Sequence, residues 1–224
     1  MDTAILIDEI IGEELLEAGA TVIGYASVGK FLHDDIAHLG MAISIGVGRN
    51  LNKGTLALLG ELQRKASRIL RESGYRYLCI PPDSDRVKDT FVSKLYPLFA
   101  HKLAATSSGI GWIGKNGLLI NREFGPRLSL ATVLTNAPLS AGTPIEFSEC
   151  GDCSLCVKHC PSGAITGELW SRYDPYVRLI NTDKCSAQKK NTKGLSDKPN
   201  CGLCITICPY GRRVMKENVQ MALS

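Results

Sequence analysis

The run Cys150-Gly-Asp-Cys153-Ser-Leu-Cys156-Val-Lys-His-Cys160-Pro161 constrains this chain more than any other stretch. Its spacing, C-x2-C-x2-C-x3-C-P, is that of a [4Fe–4S] cradle whose fourth cysteine ligates a second cluster. The reason is reach. Close turns bring three thiolates to three corners of one cube, and the fourth points away from it. The second cube has its own ligands, since Cys201-Gly-Leu-Cys204-Ile-Thr-Ile-Cys208-Pro209 repeats the latter half of the pattern and Cys185 stands upstream. The expected ligands are crossed: Cys150, Cys153, Cys156 and Cys208 for one cluster, and Cys160, Cys185, Cys201 and Cys204 for the other. Structural zinc also uses C-x2-C pairs, but two C-x3-C-P endings are not its habit. Disulfides would need an oxidising compartment, and no secretory signal opens the chain.

Charge adds little. The formal net charge of +4 counts the cysteines as neutral, and each oxidised cluster with four thiolates carries about −2. The excess is then roughly cancelled, which gives no strong nucleic-acid reading. No stretch approaches the apolar length of a membrane span, so a cytoplasmic location is expected and no membrane partner. The ninth cysteine, Cys79, lies in the apolar run Tyr77-Leu78-Cys79-Ile80 and reads as a buried structural thiol.

Ahead of the cysteines, periodicity predicts helices over about 3–19, 53–73 and 88–106, the last interrupted near Pro97. Strands are predicted over Thr21–Ala26, Met41–Val47, Tyr75–Ile80, Leu118–Asn121 and Arg127–Thr135, with Met41–Val47 central because nearly every position is apolar. Leu56, Leu59, Leu62, Ala66, Ile69 and Leu70 form the expected buried stripe of the second helix. Arg64, Lys65, Arg68 and Arg71 form its basic outer face. The class is therefore α/β (α+β). Residues 1–140 are expected as a cofactor-binding domain and residues 145–224 as a double-cluster domain closing with a short basic helix, with Ser140–Pro144 as linker.

Between the two lies Gly109-Ile-Gly-Trp-Ile-Gly-Lys-Asn-Gly117, four glycines in nine residues. Glycines at this density let backbone approach a flat or charged ligand. The loop follows no predicted strand and lacks G-K-S/T, so it is neither a dinucleotide fingerprint nor a phosphate loop. With the strand and Leu134-Thr-Asn-Ala-Pro-Leu139 that follow, and the eight cysteines, it resembles the core of epoxyqueuosine reductases. Glu123-Phe-Gly-Pro-Arg-Leu128 also resembles the corrinoid reductive dehalogenases. In both families a cobalamin domain of nitroreductase-like topology precedes two [4Fe–4S] clusters. The resemblance implies a cobalamin against Gly109, Gly111, Trp112, Gly114, Lys115 and Asn116, reduced through the clusters. It also implies a low-potential donor such as a ferredoxin or flavodoxin, and a small-molecule or modified-nucleoside substrate.

Proton donors are sought nearby, and Tyr96, His101 and Arg127 are the candidates. Two departures set tRNA aside as the expected substrate. The family's proton-donating aspartate, aligned on Pro97, is Lys94 here, and the helical-repeat region that some of those enzymes use on tRNA is not in this sequence. Two other functions stay open: a two-cluster electron-transfer partner without its own catalytic cofactor, and an RNA-binding module using the basic residues. A homodimer that completes the pocket is a further expectation.

Overall fold

The computed structural model describes residues 6–48, 54–82, 99–174, 177–191 and 201–211. The N-terminal unit is built on a four-stranded antiparallel sheet of order β1-β2-β6-β3. Its strands are β1 (Val22–Ser27), β2 (Met41–Gly48), β3 (Tyr77–Ile80) and β6 (Leu128–Thr135). β2 is interior, pairing with β1 from Val22↔Gly46 to Ser27↔Met41 and with β6 from Met41↔Thr135 to Gly48↔Leu128. Six of its eight residues are buried. A strand covered on both faces has no polar side to offer water, and this explains its unbroken apolar run.

Alternation along the strands divides the core. Ile43, Ile45, Val47, Ala131 and Val133 pack with Ile11 and Leu15 of α1 (Ile7–Glu17) and with Leu59, Leu62, Ala66 and Leu70 of α2 (Thr55–Glu72). Ala42 and Leu134 pack with Ala104 of α3 (His101–Ser107) in the second cluster. The Glu9 carboxylate accepts the Leu6 N–H at 3.2 Å, meeting one of the donors left over at the start of α1. After α2 the chain reverses through Gly74 at φ +82°, a conformation suited to glycine.

The mixed α/β class holds, with a wholly antiparallel sheet between helices. Two details of α2 differ from the expected stripe. Leu56 is exposed, and Gln63 and Ser67 are buried in its place. Gln63 Nε2 donates to Ile80 O at 2.8 Å and Thr132 O at 2.9 Å, so one amide satisfies two strand carbonyls. Ser67 Oγ donates to Gln63 O and lies 3.0 Å from Cys79 Sγ. Burial pushes the Cys79 thiol up, as for an inert packed cysteine.

The second unit comprises Gly111–Arg127 with Ile145–Ser224, and the first Met1–Ile110 with Leu128–Pro144. This division differs from a split of 1–140 against 145–224. Residues 111–127 form the hairpin of β4 (Trp112–Ile113) and β5 (Leu119–Ile120), whose Trp112 and Ile120 share a core with Cys208. Among the described residues, the rest of this unit is loop with three short helices, α4 (Leu155–Lys158), α5 (Thr182–Asn191) and α6 (Leu203–Thr206). Most of the helix expected over 88–106, with Tyr96 and Lys94, lies outside the described residues, as does the expected basic helix after Cys208. Among the described residues no helix is long and apolar enough to cross a membrane.

Replacing Gln63 by Leu leaves the Ile80 and Thr132 carbonyls without that donor. A loss of about 2–4 kcal/mol is expected in chemical denaturation of the Gln63→Leu chain.

Candidate metal centre

Tight turns set the spacing of the thiols. Cys153 N–H donates to Cys150 O at 3.0 Å, closing a turn through Gly151 at φ +48°. The single-turn helix α4 carries Cys156 and leads into Cys160, whose N–H donates to Val157 O at 3.3 Å. Past Pro161 the chain turns back at Gly163, and Ala164 N–H points at Cys160 Sγ from 3.3 Å. In the second half, Gly202 at φ +63° starts α6, which carries Cys204 and ends just before Cys208. Cys185 is on α5, whose first turn is tied by Lys184 N–H to Asn181 Oδ1 at 3.0 Å.

These turns bring the thiols into two groups. Cys150, Cys153, Cys156 and Cys208 line one cavity, together with Lys115, Asn116, Ile120, Pro209 and Tyr210. Burial, then the charges of Cys150, Cys204, Cys208 and Cys153, push the Cys156 thiol up to about 11. Burial also raises Cys204, which feels Cys185, Cys201 and Cys160. Burial acts upward on Cys160 too, but hydrogen bonds from Ser162, Ala164 and Ile165 outweigh it and the thiol is lowered. Cys208 is raised by burial, and the Arg127 charge works against that rise. Thiolates so close repel one another, and a multiply charged cationic core relieves that repulsion. Four thiols round one cavity fit a cube. Trp112 Nε1, buried without a hydrogen-bond partner in the core it shares with Cys208 and Cys150, fits a group that brings sulfide acceptors.

The glycine-rich loop closes this cavity. Gly114 N–H donates to Leu118 O and Gly117 N–H to Gly114 O, which folds Lys115 and Asn116 into a tight turn. Lys115 Nζ donates to Gly151 O at 2.8 Å and Cys153 O at 3.1 Å. Asn116 Nδ2 donates to Cys204 O at 3.2 Å. Both side chains are buried. The donors expected at a corrin edge thus have partners in the loops that carry the cysteines. Gly111 is needed for close approach, because a Cβ there would overlap the Ile120 carbonyl. Arg127 donates through Nη1 to Tyr210 O at 3.1 Å and through Nη2 to Ile205 O at 3.2 Å, bracketing Cys208 in sequence.

Tyr210 was missed in the sequence. Its ring meets Trp112 edge-on with centroids 4.9 Å apart, and its hydroxyl donates to Glu149 O at 3.1 Å. Its place directly after Cys208-Pro209 was the available signal. The remaining candidates lie in the N-terminal unit or beyond the described residues. His101 is buried in α3, with Nδ1 2.9 Å from Thr132 Oγ1 and Nε2 3.0 Å from Pro81 O. Gly109, at φ +79°, faces the Thr143 carbonyl. Tyr96 lies outside the described residues.

Residues 149–211 match the family model of the 4Fe-4S double cluster binding domain. This segment is a double [4Fe–4S] cluster domain. Curated relatives match about half of the chain. Over 132 residues the chain is 35% identical to epoxyqueuosine reductase of Atelocyanobacterium thalassa, covering 53% of this chain and 40% of that protein. Over 111 residues it is 37% identical to the Listeria monocytogenes enzyme, covering 48% and 28%. It spans about a third of the length of such relatives. Solved structures share the fold over more of the chain. Epoxyqueuosine reductase from Streptococcus thermophilus superposes with TM-score 0.61 at 18% identity, over 91% of this chain and 65% of that one. A catabolic reductive dehalogenase superposes with TM-score 0.67 at 19% identity, over 91% and 32%.

Two glycines of the cluster domain unit test the packing round the cage. Gly125 sits at φ +57° with its Cα against the Tyr210 carbonyl, whereas Gly151 at φ +48° faces open space. Gly151→Ala is expected to cost about 1–2 kcal/mol from backbone conformation alone. Gly125→Ala adds steric overlap, for a loss of about 3 kcal/mol or more. Iron retained per chain during thermal challenge should fall in that order.

Proposed function

We propose that this chain is an iron–sulfur reductase in which two [4Fe–4S] clusters pass single electrons to a corrinoid associated with the N-terminal unit. Cys150, Cys153, Cys156 and Cys208 are the proposed ligands of one cluster, and Cys160, Cys185, Cys201 and Cys204 those of the other. The gathering of Cys208 with Cys150, Cys153 and Cys156 round one cavity carries this reading. A chain in which each cysteine run served its own cube would place Cys160, not Cys208, on that cavity.

The corrinoid part rests on the relatives. One solved structure sharing the fold, with TM-score 0.65 at 19% identity, is a reductive dehalogenase described for B12-dependent dehalogenation. A bound corrinoid would supply a strongly reducing, nucleophilic metal centre. This chain's own residues do the surrounding work. Lys115 and Asn116 fix the backbone of both cysteine runs, and Trp112 and Tyr210 exclude water from the cluster at Cys150, Cys153, Cys156 and Cys208. The glycines of the Gly109–Gly117 loop are the proposed backbone approach to the cofactor. Of the proton-donor candidates, His101 and Arg127 have polar atoms turned to protein partners, and Tyr96 is the proposed donor. The proposed substrate class is a small molecule or modified nucleoside, with a low-potential ferredoxin or flavodoxin as electron source. Another solved relative is an epoxyqueuosine reductase with an epoxyqueuosine-modified tRNA stem loop, but Lys94 stands where such enzymes carry an aspartate, so tRNA is not the substrate proposed here.

A second reading is an electron carrier with no cofactor beyond its clusters. It is favoured by one observation: Lys115 and Asn116 are occupied by the cluster loops.

Anaerobic reconstitution should give about eight irons and eight sulfides per chain. Hydroxocobalamin added to the loaded chain should co-elute with it and change its cobalt spectrum on reduction. Full clusters with no cobalamin retained would select the electron carrier. Fewer than about five irons would contradict both readings.

A further inference from the structure

We infer that Lys115 and Arg127 raise the reduction potential of the cluster at Cys150, Cys153, Cys156 and Cys208. The inference rests on the proposed ligands. Both cations come from the segment Gly111–Arg127, which precedes every ligand in the chain, and both fold onto the ligand loops.

Lys115 is only 8% exposed and lines the same cavity as the four thiols. Its ammonium is held by Gly151 O and Cys153 O, inside the first ligand loop. The Arg127 guanidinium is held by Ile205 O and Tyr210 O on either side of Cys208, and its charge reaches that thiol. The Lys115 charge is fixed by carbonyls, which carry no net charge to cancel it. Arg122, by contrast, is exposed and paired with Glu149 at 2.7 Å. On the other group, Cys160 Sγ receives neutral donors, the Ala164 N–H at 3.3 Å and the Ser162 hydroxyl at 3.6 Å.

Reduction adds one electron to a cube and neither makes nor breaks a bond to the protein. With four thiolates the charge goes from about −2 to about −3, and net charge and hydrogen bonding set such potentials. A buried positive charge favours the more negative state, and burial limits the screening that would weaken it. Lys115 and Arg127 act as positioning residues: they touch the ligand loops, and no reacting substrate is required for their effect.

The test is a potentiometric titration, followed by electron paramagnetic resonance, of the anaerobically reconstituted full chain. Lys115→Gln keeps a hydrogen-bond donor and removes the charge, and Arg127→Gln does the same. Each is expected to make reduction of one cluster about tenfold less favourable, about 59 mV for a one-electron couple, while the other midpoint stays put. Lys115→Arg should restore the wild-type value. Lys158→Met, removing an exposed lysine of α4, should move neither midpoint. Full iron content with unmoved midpoints in both glutamine variants would overturn this inference alone. So would an equal shift in Lys158→Met. A wild-type chain that binds no iron would overturn the cluster reading, and the inference with it.

Discussion

Crowding of thiolates is the constraint on which the C-terminal unit depends. Eight sulfurs in two groups repel as they ionise, and burial alone already raises Cys156, Cys204 and Cys208. A protein can hold such a set only with a cationic core and with donors on the surrounding carbonyls and sulfurs. Among the described residues, this unit's apolar packing is centred on Trp112, Ile120 and Cys208 with a few half-buried neighbours, and Ile113, Leu119, Ala164 and Ile165 are buried as well. Polar ties also hold the loops: Lys115 to the first run, Asn116 and Arg127 to the second. The N-terminal unit is stabilised the other way, by a sheet with apolar clusters on each face.

Much of the fold was legible in the sequence. β2 could be read because a strand buried on both faces needs a continuous apolar run, β6 because it follows the turn at Glu123–Pro126, and α2 because its stripe repeats at helical spacing. Gln63 and Ser67 were not legible as core residues. Their burial depends on carbonyls and a thiol supplied by β3 and β6, which periodicity does not see. The pairing of Leu128–Thr135 with both β2 and β3 is likewise a tertiary fact.

At the site the cysteines announced themselves because metal ligation fixes residue type and spacing together. The glycine-rich loop announced close approach, and the structure supplies it: Gly111 against Ile120 and Gly125 against Tyr210. What it approaches could not be read. Lys115, Asn116 and Arg127 donate to main-chain carbonyls, and a carbonyl leaves no mark in a sequence. Their role in the cage became visible only when Trp112 and Ile120 proved to share a core with Cys208 rather than with the sheet.

The central claim is that the two cysteine runs exchange ligands, so that Cys208 completes the cube begun by Cys150. Anomalous diffraction at the iron edge, from crystals grown anaerobically with the clusters loaded, tests it directly. The account predicts two four-iron cubes, one bonded to Cys150, Cys153, Cys156 and Cys208 and the other to Cys160, Cys185, Cys201 and Cys204. A cube bonded to Cys150, Cys153, Cys156 and Cys160, or single metal ions at the C-x2-C pairs, would contradict it.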